Sequence, residues 1–249
     1  MIMTDFDGED LQGSLFHKVK LSGARIRRSD LAGVVMRAVN VDGAEIDAPW
    51  LYDGTLMIND VDVVPLVEAE LCRRFPGRAE RRAADPDGLR AAWAALEQAW
   101  AVIIERVATM PDGTVDISVD DEWSFAETLR HLVLATDMWL GKAVLKREQP
   151  FHRLGLMNAD SAKEFPGVFA TEQPSYPEVL AARADRVGMV CDFLADVTAE
   201  QLAEQRPNPH EPDYAETVRS CLHTILEEEW EHQRYAVRDL DRIEQGAPA

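Results

Sequence analysis

Residues 221–241, CLHTILEEEWEHQRYAVRDLD, decide the fold. Val218, Leu222 and Ile225 step at the three- and four-residue spacing of an apolar helical stripe, and Ala236, Leu240 and Ile243 resume it further on. Between them the stripe runs through Glu228, Glu229 and His232. Side chains four apart on a helix share one face about a turn apart, so Glu228 and His232 can address a single object in the core. Burying a carboxylate beside an imidazole is costly unless something satisfies both, and a divalent cation does so. The alternatives are a hydrogen-bonded Glu and His pair, or a solvated face in a different helical phase. In a phase shifted by one residue, Glu229 takes the place of Glu228 as the candidate ligand.

Working outward, three more long helices are predicted. Asp85 and Pro86 begin the first, whose stripe of Leu89, Trp93, Leu96, Trp100, Ile103 and Val107 runs up to the turn at Pro111, Asp112 and Gly113. The second spans 124–146, with Ser124 as N-cap and Glu127 completing a capping box. A third covers 177–197, and Thr198 with Gln201 starts a short extra turn before the last helix at 216–244. Four such helices make a four-helix bundle. The long connection 147–175, rich in Pro, Gly and Phe, is expected to cover any pocket the bundle holds.

His131 lies mid-helix in LRHLVLA. A lone histidine there reads as a core residue. Taken with Glu228 and His232, it gives three inward ligands from facing helices, and three protein ligands plus one open position is the stoichiometry of a catalytic zinc site. The segments EWSFAETLRHLVLATDMWL and EEEWEHQRYAVRDLD resemble the second and fourth helices of the DinB/YfiT-like superfamily of metal-binding four-helix bundles. Many of its members use three histidines; this chain carries Glu228 in place of one, as in the mycothiol-dependent maleylpyruvate isomerase group. The resemblance covers residues 85–244 and implies His131, Glu228 and His232 as ligands. It further implies a divalent metal, zinc or nickel, and a low-molecular-weight thiol such as mycothiol or bacillithiol as cosubstrate. A metal-held thiol is deprotonated and nucleophilic near neutral pH.

Several other residues have two readings. Arg234 and Arg238 could hold an anionic substrate or pair with Glu231 and Asp241. His152, in the long connection, could reach the pocket mouth and bind substrate. Asp137 reads as an exposed carboxylate or as a support for the ligands, His223 as structural, and Cys191 and Cys221 as small core residues.

The N-terminal segment has a different rhythm. Phe6, Leu11, Phe16, Leu21, Ile26, Leu31, Met36, Val41, Ile46, Leu51, Leu56 and Val61 recur every five residues, many with a small or β-branched residue two before. This resembles the pentapeptide-repeat family, whose fold is a right-handed β-helix, and implies a small β-solenoid over residues 1–63. The competing reading is a small antiparallel sheet with turns at Gly23, Gly33, Gly43 and Gly54. Pro65 opens an amphipathic helix expected to cap the solenoid, and GRAERRAADPDG reads as a linker. The expected organisation is thus a multi-domain chain: solenoid 1–63, cap and linker 64–84, all-α bundle 85–249.

Charge and cysteine content narrow the function. With 45 acidic and 26 basic side chains in 249 residues, the net charge of −19 opposes phosphate-backbone binding, so nucleic acid is not an expected partner. Three unclustered cysteines suggest neither a disulfide framework nor a zinc ribbon and fit a reducing cytoplasm. Neither a signal peptide nor a membrane span is read, so no membrane partner is expected. The expected function is a metal-dependent, thiol-dependent S-transferase or isomerase acting on a small electrophile. The rival is a non-enzymatic binding, resistance or interaction protein. Oligomeric state stays open, a homodimer included.

Overall fold

The computed structural model describes residues 6–246; residues 1–5 and 247–249, the outer ends of the expected domains, lie outside the described residues. The chain divides into two compact units, Met1–Asp47 and Ala48–Ala249.

The second unit opens with a 3-10 turn, Leu51–Asp53, and a short antiparallel hairpin of β1 (Met57–Ile58) and β2 (Val61–Asp62), with Ile58 opposite Val61. Helix α1 (Val64–Arg74) and a second 3-10 turn (Arg78–Arg82) lead into the bundle. The bundle is built from α2 (Pro86–Ala108), α3 (Phe125–Thr136) with its π-helical continuation Asp137–Val144, the short α4 (Ala159–Ala162), and α5 (Tyr176–Asp196). A short α6 (Ala199–Ala203) and the antiparallel pair β3 (Gln205–Pro207) and β4 (Ala215–Thr217) precede the last helix, α7 (Val218–Glu244).

Local chemistry sets these boundaries. Asp85 caps α2 by accepting the Gly88 N–H at 3.0 Å, and reciprocal capping boxes start α3 (Ser124 with Glu127), α5 (Ser175 with Glu178) and α6 (Thr198 with Gln201). The α2 stripe from Leu89 to Val107 is buried against Leu129 and Leu132 of α3, Val190 and Leu194 of α5, and Leu222, Ile225 and Leu240 of α7. Each such side chain contributes about 1.5–3 kcal/mol through its burial. The expected single helix over 124–146 instead changes pitch at Asp137, where the Leu145 N–H bonds the Leu140 carbonyl five residues back. In this stretch Asp137, Met138, Leu140, Gly141, Ala143 and Val144 are all buried.

The expected linker is instead an internal brace. Arg78 and Arg81 are 1% and 7% exposed. Arg78 binds Glu68 of α1 at 2.9 and 3.0 Å and Glu231 of α7 at 3.1 Å, and Arg81 binds Glu68 at 2.8 Å. Arg82 reaches Glu227 of α7 at 2.8 Å and Asp53 at 2.9 Å, and its guanidinium lies 4.6 Å from the Tyr52 ring centroid. A run of arginines that reads as solvated finds carboxylates on two helices, so residues 48–84 belong to the bundle unit and α1 is part of it. Gly77 makes this possible: at φ +97° it brings the backbone so close that a Cβ would lie 2.8 Å from Ala95 Cβ and 3.3 Å from the Trp230 ring.

The first unit keeps the five-residue rhythm in its backbone. Left-handed residues recur at Gly8, Gly13, Lys18, Gly23, Arg28, Gly33, Ala38 and Gly43. Turns close at Ser14, Ala24, Val34 and Ala44, whose N–H groups bond the carbonyl three residues before. The expected β-solenoid is not supported, however. No strand occurs among residues 6–56, and the repeating apolar residues from Phe6 to Ile46 are 42% to 62% exposed. A stack needs several repeats to cover each other's apolar rows, and a run of this length offers few neighbours. Among the described residues, no helix is long and apolar enough to cross a membrane.

Replacing Gly77 with alanine should force both the left-handed backbone and the Ala95 contact. We expect a loss of roughly 1–3 kcal/mol in urea unfolding, with the helical circular dichroism of the native state retained.

Candidate metal centre

Three side chains on the facing helices α3 and α7 converge. His131, Glu228 and His232 each offer one ligand atom, and these atoms lie within 4.8 Å of one another. His131 Nε2 is 3.4 Å from Glu228 Oε2. That is about the ligand-to-ligand edge of a tetrahedral zinc site with bonds near 2.0–2.1 Å. His232 Nδ1 lies 2.8 Å from the Glu228 backbone carbonyl. A carbonyl can only accept, so in the neutral ring Nδ1 carries the proton and Nε2 keeps its lone pair, the arrangement a metal-ligating histidine needs. His131 Nδ1 is buried and has no hydrogen-bond partner. Two imidazoles and a carboxylate fit a divalent ion of zinc type in donor chemistry and spacing.

The surroundings tune the set. Burial opposes ionisation of Glu228, but the hydrogen bond from His131 and the charges of His232, His131 and His210 outweigh it and hold the carboxyl below its usual range. Burial pushes the His232 imidazole down, helped by His131 and opposed by Glu228. Trp123 lies tilted 4.5 Å from the His131 ring and stacks 6.0 Å from His232, and Tyr235 meets His232 edge-on at 5.8 Å.

The remaining candidates fall elsewhere. Glu229 is fully buried and directs both carboxylate oxygens, at 2.6 Å, to Arg183 of α5, so the helical phase gives the ligand position to Glu228. Asp137 is not the exposed carboxylate of one reading: it is fully buried, 2.5 Å from Arg186 Nε, and accepts the His152 N–H at 2.7 Å. His152 therefore anchors the long connection, its Nδ1 accepting the Leu154 N–H at 3.1 Å, and is not part of the cluster. Arg234 binds Glu231 at 3.0 Å and lies over the Tyr235 ring, one side chain removed from His232. Arg238 also lies over Tyr235 and binds Asp239. His223 is structural, with Nε2 2.8 Å from the Ala83 carbonyl, and Cys221 sits in the core.

The sequence singles out none of Trp123, Tyr235 and His210. Trp123 has one signal, its place directly before the Ser124 N-cap. His210 has none, because it depends on the β3 and β4 hairpin, whose loop docks on the π-helical segment. There the Pro209 carbonyl accepts from Lys142 at 2.8 Å, and His210 packs 5.7 Å from the Trp139 ring.

Two outcomes follow for the metal-free protein. Replacing Glu229 with alanine leaves Arg183 buried and unpaired, which should cost about 3–5 kcal/mol in urea unfolding. His223 and His232 are held neutral by burial, with their pKa values lowered from 6.5. The unfolded chain therefore takes up protons that the folded one refuses, so stability falls as pH drops through 6.5 and below. The urea midpoint should accordingly be lower at pH 5.5 than at pH 7.5.

A family model described as the DinB superfamily matches residues 95–236, more than half of the 249-residue chain. No curated protein and no solved structure matches it. The matched span holds all three converging side chains and the greater part of the helices that carry them, and the chain belongs to the DinB superfamily.

Proposed function

We propose that the bundle is a metal-dependent enzyme that uses a low-molecular-weight thiol against a small electrophile, by S-transfer or isomerisation. The observation that carries this reading is the convergence of His131, Glu228 and His232 within 4.8 Å. A divalent metal held there, zinc or nickel, would supply Lewis acidity that lowers the pKa of a thiol or water in its open position.

The chain's own residues contribute the rest. The Glu228 carbonyl fixes the His232 tautomer and ring direction, while the Glu228 side chain, kept ionised despite burial, balances the cation's charge. Trp123 and Tyr235 present aromatic faces beside the ligands and limit the access of water. Arg234 and Arg238, both over the Tyr235 ring that meets His232, supply positive charge that a thiol or substrate carboxylate could use. Mycothiol is the thiol that the ligand order His, Glu, His favours.

The second reading, a binding or interaction protein without turnover, is favoured by one observation: the uncovered apolar rows of residues 6–47 are suited to contact with another protein.

Elemental analysis of untagged protein decides first. About one equivalent of zinc or nickel is expected, lost in His131→Ala and in Glu228→Gln, with the urea midpoint of the metal-free variants close to that of the metal-free wild type. Thiol consumption with a panel of small electrophiles should then depend on the metal and fall at least a hundredfold in His232→Ala. Metal binding without any thiol turnover would favour the second reading, and a wild type that stays metal-free after reconstitution would sink the first.

A further inference from the structure

A cavity of about 350 Å³ opens between α2 and α5, walled by Trp93, Trp100, Ile104, Leu180 and Val187. Its size lies within the range of small-molecule sites, roughly 300–1,000 Å³. His131, Glu228 and His232 take no part in its lining, so it is separate from the candidate metal centre.

The polar groups of this wall are short of an acceptor. Arg183 of α5 lines the cavity and is 5% exposed. Its Nη2 touches both oxygens of Glu229 at 2.6 Å, so its charge is matched within the protein. Its Nη1 is buried and finds no hydrogen-bond partner among the described residues, and the same holds for Nε1 of Trp93 and of Trp100. The two indole N–H groups lean on neighbours without completing a hydrogen bond, Trp93 on the Cys191 thiol and Trp100 on the Glu229 carboxylate. The guanidinium N–H is charged and therefore the strongest donor of the three. Leaving it unmet in the interior costs free energy that an entering acceptor recovers.

Glu97, the other charged side chain of the wall, does not supply that acceptor, because its Oε2 already accepts from the Cys191 thiol at 3.6 Å. Charge then selects the ligand. Arg183 and Glu229 cancel, and Glu97 leaves one negative charge on the wall, which repels an anion. A cation brings no lone pair to Arg183. We propose that this cavity binds an uncharged, largely aromatic compound whose one carbonyl oxygen accepts from Arg183 Nη1, while its rings pack against Trp93 and Trp100 of α2 and Leu180 and Val187 of α5. The site goes beyond the metal reading and does not depend on it.

Titration of the full chain with benzophenone, two rings joined by one carbonyl, followed by NMR of the ligand, tests this. Diphenylmethane keeps the shape and lacks the acceptor, and para-benzoylbenzoate adds a negative charge. Benzophenone should bind at a single saturable site, about tenfold or more tighter than either. Arg183→Lys, which keeps a cation for Glu229 and removes Nη1, should erase the advantage over diphenylmethane. Binding should be lost in Val187→Trp, which fills the cavity, and be unchanged in His131→Ala. Should the α5 variants fail to fold, the comparison of ligands on the wild type still decides, and Ala101→Trp fills the same space from α2. Equal affinity for ketone and hydrocarbon, tighter binding of the anion, or no saturable binding would each overturn the proposal. So would a dimer, seen by analytical ultracentrifugation, that Val187→Trp dissolves, because a second copy would then occupy the groove.

Discussion

Four carboxylates within five residues of α7 have to be satisfied inside the fold, and the bundle is arranged around doing so. Glu227 goes to Arg82, Glu228 to His131 and His232, Glu229 to Arg183, and Glu231 to Arg78 and Arg234. The partners come from four elements: the 3-10 turn, which serves both Glu227 and Glu231, α3, α5 and α7 itself. Leaving any one of them buried without its partner would cost several kcal/mol, far more than one residue's share of the folding free energy. Rotating α7 by one residue would break all four matches together, so the electrostatics fix the helical phase more sharply than the apolar stripe can.

Only part of this arrangement is local enough to be written in the sequence. Stripes at three- and four-residue spacing and the Ser124 and Glu127 box located the helices, because these are local signals that tertiary packing reinforces. His131, Glu228 and His232 were legible as a set since two lie on one helical face and the third interrupts an apolar run. The physical reason that Glu229 is not the ligand was not legible, because it is Arg183, 46 positions away on α5. The reading of Asp137 as exposed, and that of the arginines of the 3-10 turn as a linker, failed for the same reason. A charged side chain is assigned to solvent by default, and only its distant partner reverses the assignment. In the first unit the five-residue rhythm was legible and its backbone consequence is present, but periodicity alone says nothing about how many coils are needed to bury a row.

The candidate centre sits where the two kinds of order meet. Apolar burial fixes α3 and α7, and the ionic matches fix how α7 is turned. The loop between β3 and β4 adds a histidine, His210, from outside the bundle. The ligand set is therefore held by regular helices, whereas the long connection is stitched on by Asp137 to the His152 N–H and by Arg130 to the Leu154 carbonyl. A rigid donor set beside a connection held by a few polar contacts allows substrate specificity to change without disturbing the donors.

Trp123 has a further consequence. An indole 4.5 Å from one imidazole of the set and 6.0 Å from the other makes the chain its own optical witness. A closed-shell d¹⁰ ion such as zinc would leave the Trp123 emission largely intact, whereas an open-shell ion such as nickel would quench it, one share of the signal from six tryptophans. The identity of the metal would then be legible in the ultraviolet glow of the protein, with no label attached.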